Sequence, residues 1–305
     1  MKTNEKPNTK SVMIAICGRP NVGKSTLTNT VVGEKVAIVS NKPQTTRNRI
    51  CGILDRGDTQ FVFLDTPGFH KPRTKLGDYM VNVVEQSVAN VDLALLLVEP
   101  IASVGPQEAA LIEQFRQRQV PAVLVINKID TVEDKDELLR VIACYNEAFA
   151  FDATVPISAK TRDGVDELLD VCEKYAVESP WFFPEGMTSD QPERQVIAEI
   201  IREKMLWNLD KEIPHGTAVE ITRFTERDSG IIDVEATIYC EKASHKGIII
   251  GKGGQMLKKI SSQARADCER FMGAKVYLQT WIKVKENWRD SDFLIRNFGY
   301  RNDEG

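Results

Sequence analysis

The chain has 305 residues, 42% of them hydrophobic and 28% charged. That composition excludes intrinsic disorder, a collagen-like repeat and a disulfide scaffold, and at roughly 100–200 residues per domain the length favours two domains. A formal charge of −4 argues against a protein that coats polyanions with its whole surface, but the charge is uneven: residues 242–285 hold ten basic side chains against two acidic ones, Asp267 and Glu269.

The N-terminus through Lys10 is polar and carries no secretory pattern, and no apolar stretch approaches 18 residues, so no membrane span is expected. Six cysteines (17, 51, 144, 172, 240, 268) are scattered without a C-x-x-C pair or a Cys/His cluster, and read as buried thiols of a reducing compartment. From residue 12 to about 178, short apolar runs at 12–17, 61–64, 93–98, 121–126 and 154–157 alternate with helical segments. This is the pattern of βα units around a mostly parallel sheet, whose buried strands are continuously apolar.

The chemistry lies in the turns at the ends of these runs. After the first comes Gly18-Arg19-Pro20-Asn21-Val22-Gly23-Lys24-Ser25-Thr26, which fits G-x-x-x-x-G-K-[ST] and opens a helix. Backbone N–H groups there turn onto phosphate oxygens, Lys24 reaches the β- and γ-phosphates, and Ser25 is a Mg²⁺ ligand. After 61–64 comes Asp65-Thr66-Pro67-Gly68: Asp65 can hold Mg²⁺ through water, and the Gly68 N–H can sense a γ-phosphate. After 121–126 comes Asn127-Lys128-Ile129-Asp130. The Asp130 carboxylate can accept from both the ring N–H and the amine of guanine, whereas adenine would leave it unpaired; Asn127 can brace the loop and the Lys128 stem can cover the base. Ser158-Ala159-Lys160 ends the run at 154–157, where the Ala159 N–H is expected to meet the guanine oxygen.

These four elements in this order resemble the G motifs of translation-factor-class GTPases. The resemblance implies a switch threonine over Mg²⁺ and γ-phosphate within Pro43-Gln44-Thr45-Thr46-Arg47; Thr46 is favoured and Thr45 is the alternative. The metal set is then Ser25, Thr46 and Asp65, and the catalytic set Asn21, Lys24, Thr46, Asp65 and Gly68. The residue after Gly68 is Phe69, not the water-positioning Gln of Ras-like proteins, so intrinsic turnover should be slow. Asn21 stands where some of that group hold a potassium ion; shaping the loop is its equally weighted alternative. His70, Lys71 and Arg73 come next as candidate switch residues or solvated charges.

Ser179-Pro180-Trp181-Phe182-Phe183-Pro184-Glu185-Gly186 reads as the start of a linker, giving a first domain over 1–178, a linker over 179–192 and a second domain over 193–305. In the second, Val196, Ile197, Ile200, Ile201, Met205 and Leu209 mark a core-facing helix. Alternating segments near 217–224, 231–240 and 275–284 mark half-exposed strands. Between the last two, Gly251-Lys252-Gly253-Gly254 gives G-x-x-G between helical segments, the signature of a KH module whose loop clamps single-stranded RNA. The RNA-binding candidates are Lys246, Ile248, Ile249, Ile250, Gly251, Lys252, Gly253, Gly254 and Lys258, with bases lying against the apolar 248–250 side.

A P-loop GTPase domain joined to a smaller α+β type II KH domain resembles the Era family of ribosome-assembly GTPases, a likeness extended by 43–47 and by Pro192-Glu193-Arg194-Gln195-Val196-Ile197. The resemblance implies a GTP-hydrolysing switch with GTP/GDP and Mg²⁺ as ligands. It implies as partners the 3′ end of 16S ribosomal RNA and the 30S subunit, not DNA, for a monomer in the cytoplasm with at most peripheral contact to the inner membrane. An RNA chaperone using GTP as a structural ligand, and a P-loop ATPase, are the rival readings; Asp130 argues against the second.

Overall fold

The computed structural model describes residues 9–69 and 72–300; the candidates His70 and Lys71 lie outside them. These residues form two compact units. The larger takes the chain through Ala37, Thr46 to Phe69, and Met80–Asp190; the smaller takes Ile38–Thr45, Pro72–Tyr79 and Gln191 to Tyr300.

In chain order the first elements are β1 (Lys10–Gly18), α1 (Lys24–Val32), β2 (Ile50–Arg56), β3 (Thr59–Asp65), α2 (Lys75–Ala89), β4 (Leu93–Val98), α3 (Pro106–Arg118), β5 (Ala122–Ile126), α4 (Lys135–Ala148), β6 (Ala153–Pro156), α5 (Val165–Glu173) and β7 (Val177–Glu178). The sheet runs β2-β3-β1-β4-β5-β6, with β7 on β1; β2 and β7 pair antiparallel and the rest are parallel. Successive strand side chains point to opposite faces, which explains the unbroken apolar runs. Ile14, Ile16, Leu95, Leu97 and Val125 pack on one side with Leu27 of α1 and Leu168 of α5. Ala15, Cys17, Leu96, Val98 and Leu124 pack on the other with Val84 of α2, Phe115 of α3 and Tyr145 of α4. The five runs read from the sequence all form strands. Missing from that reading are β2, where Gly52 divides the apolar residues ahead of Asp55 and Arg56, and β7, which is only two residues long.

The connector is laid on the larger unit instead of hanging loose. Ile53 N–H donates to Thr188 O (2.9 Å), Trp181 Nε1 to Asp58 O (3.0 Å), and Gln60 exchanges hydrogen bonds with the Phe183 backbone.

The smaller unit contains α6 (Glu193–Asn208), β8 (Thr217–Glu226), β9 (Ile232–Cys240), α7 (Ala243–Ile250), α8 (Gln255–Met272), β10 (Val276–Val284) and α9 (Asp292–Asn297). Its sheet order is β10-β9-β8, with β10 parallel and β8 antiparallel to β9. Val234, Ala236 and Ile238 pack with Ile197 and Ile201 of α6, Ile249 of α7 and Ile260 and Ala264 of α8. The expectation of half-exposed strands fails for β9. Its polar face is covered too: the Tyr239 ring lies 4.7 Å from that of Phe298, and Asp233 pairs with Arg227. The stripe on α6 does face the core, but the same helix buries Arg202, Glu203 and Lys204. Arg202 donates to the carbonyls of Gln44 and Thr45, Val39 N–H donates to Glu203 (2.9 Å), and Lys204 pairs with Asp267 at 2.5 Å. Such satisfied charges on a core helix leave no trace in apolar periodicity.

Candidate functional site

β1 delivers the chain into the phosphate loop at a position where only glycine fits. Gly18 has φ +151°, and a Cβ there would stand 2.5 Å from Leu97 O; Gly23 has φ +104°, with 2.2 Å to Asn127 Nδ2. Gly23 also precedes α1, whose start has neither a side-chain cap nor an acidic residue in its first turn, so its N–H groups remain oriented for an anion. Asn21 adopts φ 67°, a left-handed conformation that fits its loop-shaping alternative. Lys24 is buried and donates to Gly18 O (3.0 Å) and Arg19 O (2.8 Å), and burial pulls its ammonium down to about 8.

Ser25, Thr46 and Asp65 come together from three separate segments: Ser25 Oγ lies 2.6 Å from Asp65 Oδ2 and 2.8 Å from Thr46 Oγ1. Thr45 points elsewhere, its hydroxyl donating to Lys42 O (2.6 Å). Asp65 is wholly buried, and burial pushes its carboxyl up to about 6 against the opposing effects of Ser25 and Lys24. Its Oδ1 has no hydrogen-bond partner among the described residues. A buried, unpaired carboxylate oxygen beside two hydroxyls and a cation is a hard-oxygen donor set, which fits Mg²⁺. Thr66 donates to Ile16 O (2.8 Å), which fastens the following turn to β1. A Cβ on Gly68 would stand 2.8 Å from Pro20, so that turn lies directly against the phosphate loop.

On the base side, Asn127 Nδ2 donates to Val22 O (2.7 Å), bracing the phosphate loop as expected. Its Oδ1 accepts the Ala159 N–H at 2.9 Å. The amide expected to meet the guanine oxygen is thus held at its place by Asn127, which is buried between the two loops. Asp130 is exposed and accepts from Ser158 Oγ at 2.7 Å, while Lys160 is exposed at the end of the segment. Two residues the motifs do not contain, Glu99 and Glu108, hold Lys128 and Arg19. Only folding brings them there; the sequence signal for Glu99 is no more than an acid at the end of an apolar run, and Glu108 reads as an ordinary acid in the first turn of a helix.

In the smaller unit, Gly251-Lys252-Gly253-Gly254 forms the turn between α7 and α8, all three glycines having positive φ. A Cβ on Gly251 would stand 2.7 Å from Met256 Cβ, whereas nothing lies within 4 Å of one on Gly253 or Gly254. Lys252, Lys258 and Ile248 are exposed, and Lys246 and Ile250 are partly so. Ile249 is corrected from the RNA-binding set: it has no exposure and belongs to the core, because a helix turns successive side chains by about 100° and only one face of α7 can meet solvent. The basic run is partly neutralised, since Arg270 pairs with Asp267 and Arg265 with Glu269. Five of the six thiols are buried, as read from the sequence, whereas Cys144 is half-buried. No helix among the described residues is long and apolar enough to cross a membrane.

Comparison with known proteins agrees with both halves. A family described as 50S ribosome-binding GTPase matches residues 13–128, and the KH domain family matches residues 212–289. GTPase Era of Ruminiclostridium cellulolyticum is 52% identical over 292 residues, covering 96% of this chain and 98% of the relative. GTPase Era of Clostridioides difficile is 52% identical over 292 residues, covering 95% and 98%. Two crystal structures each superpose with a TM-score of 0.93 at 36% identity over 96% of this chain and 100% of the other. One is Era in complex with MgGDPNP and nucleotides 1506–1542 of 16S ribosomal RNA; the other is an Aquifex aeolicus Era variant bound to GDP·AlF4⁻.

Proposed function

The chain belongs to the Era family of GTPases, and on that basis we propose a GTP-hydrolysing switch whose KH domain binds the 3′ end of 16S ribosomal RNA and assists assembly of the 30S subunit. The observation that carries the switch is the meeting of Ser25, Thr46 and Asp65 beside Lys24. Mg²⁺ bound by these three groups would neutralise phosphate charge. The chain supplies the rest: N–H groups at the start of α1 and Lys24 hold the β- and γ-phosphates, Thr46 and the Gly68 N–H respond to the γ-phosphate, and Asp130 reads guanine.

The Phe69 side chain offers no hydrogen bond to an attacking water, so intrinsic hydrolysis is slow. Asn21 has two roles open to it, shaping the loop or helping to hold a potassium ion that would add positive charge near the transferring phosphate; equal turnover in sodium and potassium buffers would leave only the first. For RNA, the exposed Lys252 and Gly253, the open space beside Gly254 and the basic start of α8 support backbone clamping. The functional division, 1–178 for nucleotide, 179–192 as connector and 193–305 for RNA, belongs to this proposal, as do a monomeric state, a cytoplasmic location and at most peripheral membrane contact.

The test is binding of a labelled single strand matching the small-subunit 3′ end at fixed salt, with the protein loaded with GDP or a non-hydrolysable GTP analogue. Tighter binding in the analogue state is expected. Equal binding would leave two tethered activities and favour a chaperone that uses GTP only as a structural ligand.

A further inference from the structure

Glu99, the first residue after β4, faces two cations at once. Its Oε1 lies 2.5 Å from Lys128 Nζ and its Oε2 lies 3.5 Å from Arg19 Nη2. Arg19 in turn places Nε 2.5 Å from Oε1 of Glu108, a fully buried carboxylate in the first turn of α3. The four charges form a continuous chain from α3 through the phosphate loop to the base-reading loop. Ion pairs at a surface contribute little because both partners move and water screens them. Here one end cannot move: Glu108 has no exposure, and Leu111 and Phe115 hold its helix in the core.

The two cations occupy places where orientation matters for the nucleotide. The Arg19 carbonyl accepts from Lys24 Nζ at 2.8 Å, so a change in the Arg19 backbone moves the partner of the phosphate-binding lysine. Lys128 has φ 66°, a sparsely populated conformation for a residue with a side chain, and its ammonium is tethered to Glu99. Together these set the direction of its four-carbon stem.

We infer that Glu99 is a positioning residue for guanine nucleotide, holding the Lys128 stem for the face of the base, while the closer contact to the buried Glu108, 2.5 Å against 3.5 Å, holds Arg19 in the phosphate loop. The inference rests on the GTPase assignment. Glu99 touches no reacting atom, so it governs how long the nucleotide stays and leaves the hydrolytic step alone.

The test uses the full-length protein and the release of N-methylanthraniloyl-labelled GDP and of a labelled non-hydrolysable GTP analogue. It compares wild type, Glu99→Gln, Lys128→Met and the double variant, with single-turnover hydrolysis measured at saturating GTP. Loss of a charged hydrogen bond predicts that Glu99→Gln speeds release of both nucleotides about tenfold. Its single-turnover rate stays within about twofold of wild type, because the reacting groups are untouched. In the Lys128→Met background the same substitution changes release by less than about twofold, since coupled partners are non-additive. Glu99→Asp, which keeps the charge, restores part of the retention.

Release from Glu99→Gln within about twofold of wild type overturns the inference. So does an acceleration of equal size with and without Lys128, which would mark a general loosening of the fold. Failure of the wild-type protein to retain labelled guanine nucleotide at all would instead overturn the GTPase assignment.

Discussion

Asp130 and Asn127 stand in the same four-residue motif yet do opposite work. Asn127 is buried and turned inward, tying Val22 to Ala159 through both ends of its amide. Asp130 is exposed and steadied by Ser158, so its carboxylate is available to the base. Replacing Asp130 with Asn exchanges one acceptor for a donor and matches xanthine instead of guanine. At about 1.5–3 kcal/mol per charged hydrogen bond, the expected loss of GTP affinity is on the order of 100-fold, with xanthosine triphosphate gained. Competition of each triphosphate against labelled GDP checks it, and unchanged preference for GTP would refute the base assignment. The motif itself was legible because each residue type has a fixed chemical task. The capture of the Ala159 amide by Asn127 was not, because it depends on a distance between two loops 32 residues apart.

The turn after β3 shows how an element, and not a single side chain, sets sensitivity to the γ-phosphate. Thr66 fixes its start to β1, and Gly68 lies so close to Pro20 that a methyl group would collide at 2.8 Å. Gly68→Ala is therefore expected to push the turn off the phosphate loop and misplace its N–H. Loss of one such donor typically lowers turnover by about 100-fold or more. Single-turnover hydrolysis reads this, and GDP affinity should stay within about twofold, because GDP has no γ-phosphate for the turn to meet. The strands β1, β3, β4 and β5 were legible since burial on both faces keeps their apolar runs continuous, whereas β6, part-buried at the sheet edge, was read from the short run at 154–157. The reading of β9 was incomplete: its alternation of Asp233, Glu235, Thr237 and Tyr239 says polar, and only the returning segment at Phe298 decides that this face is covered. On α7 the three isoleucines look equivalent in sequence, and the helix assigns Ile249 to the core and Ile248 to solvent.

At the scale of the whole chain, the two units have separate apolar cores, one divided by the larger sheet and one against the smaller. A cavity in the second should therefore leave the nucleotide site intact. Ile238→Ala removes a fully buried side chain that packs in the smaller core, and is expected to cost about 2–5 kcal/mol. Calorimetry and GDP titration on the same sample check both halves: a lowered unfolding transition, with GDP affinity within about twofold of wild type. Residue type and periodicity were enough to read the order of the motifs and the strands of both sheets apart from β2 and β7, and the motifs carried the resemblance to the family that the relatives then showed. All of these are local properties of the chain. Long-range packing decided that Thr46 and not Thr45 meets Ser25, which also meets Asp65, that Ile249 is core, and that Glu99 and Glu108 stand behind the nucleotide loops. These outcomes rest on distances between segments far apart in the chain, and no local pattern encodes a distance until the chain has folded.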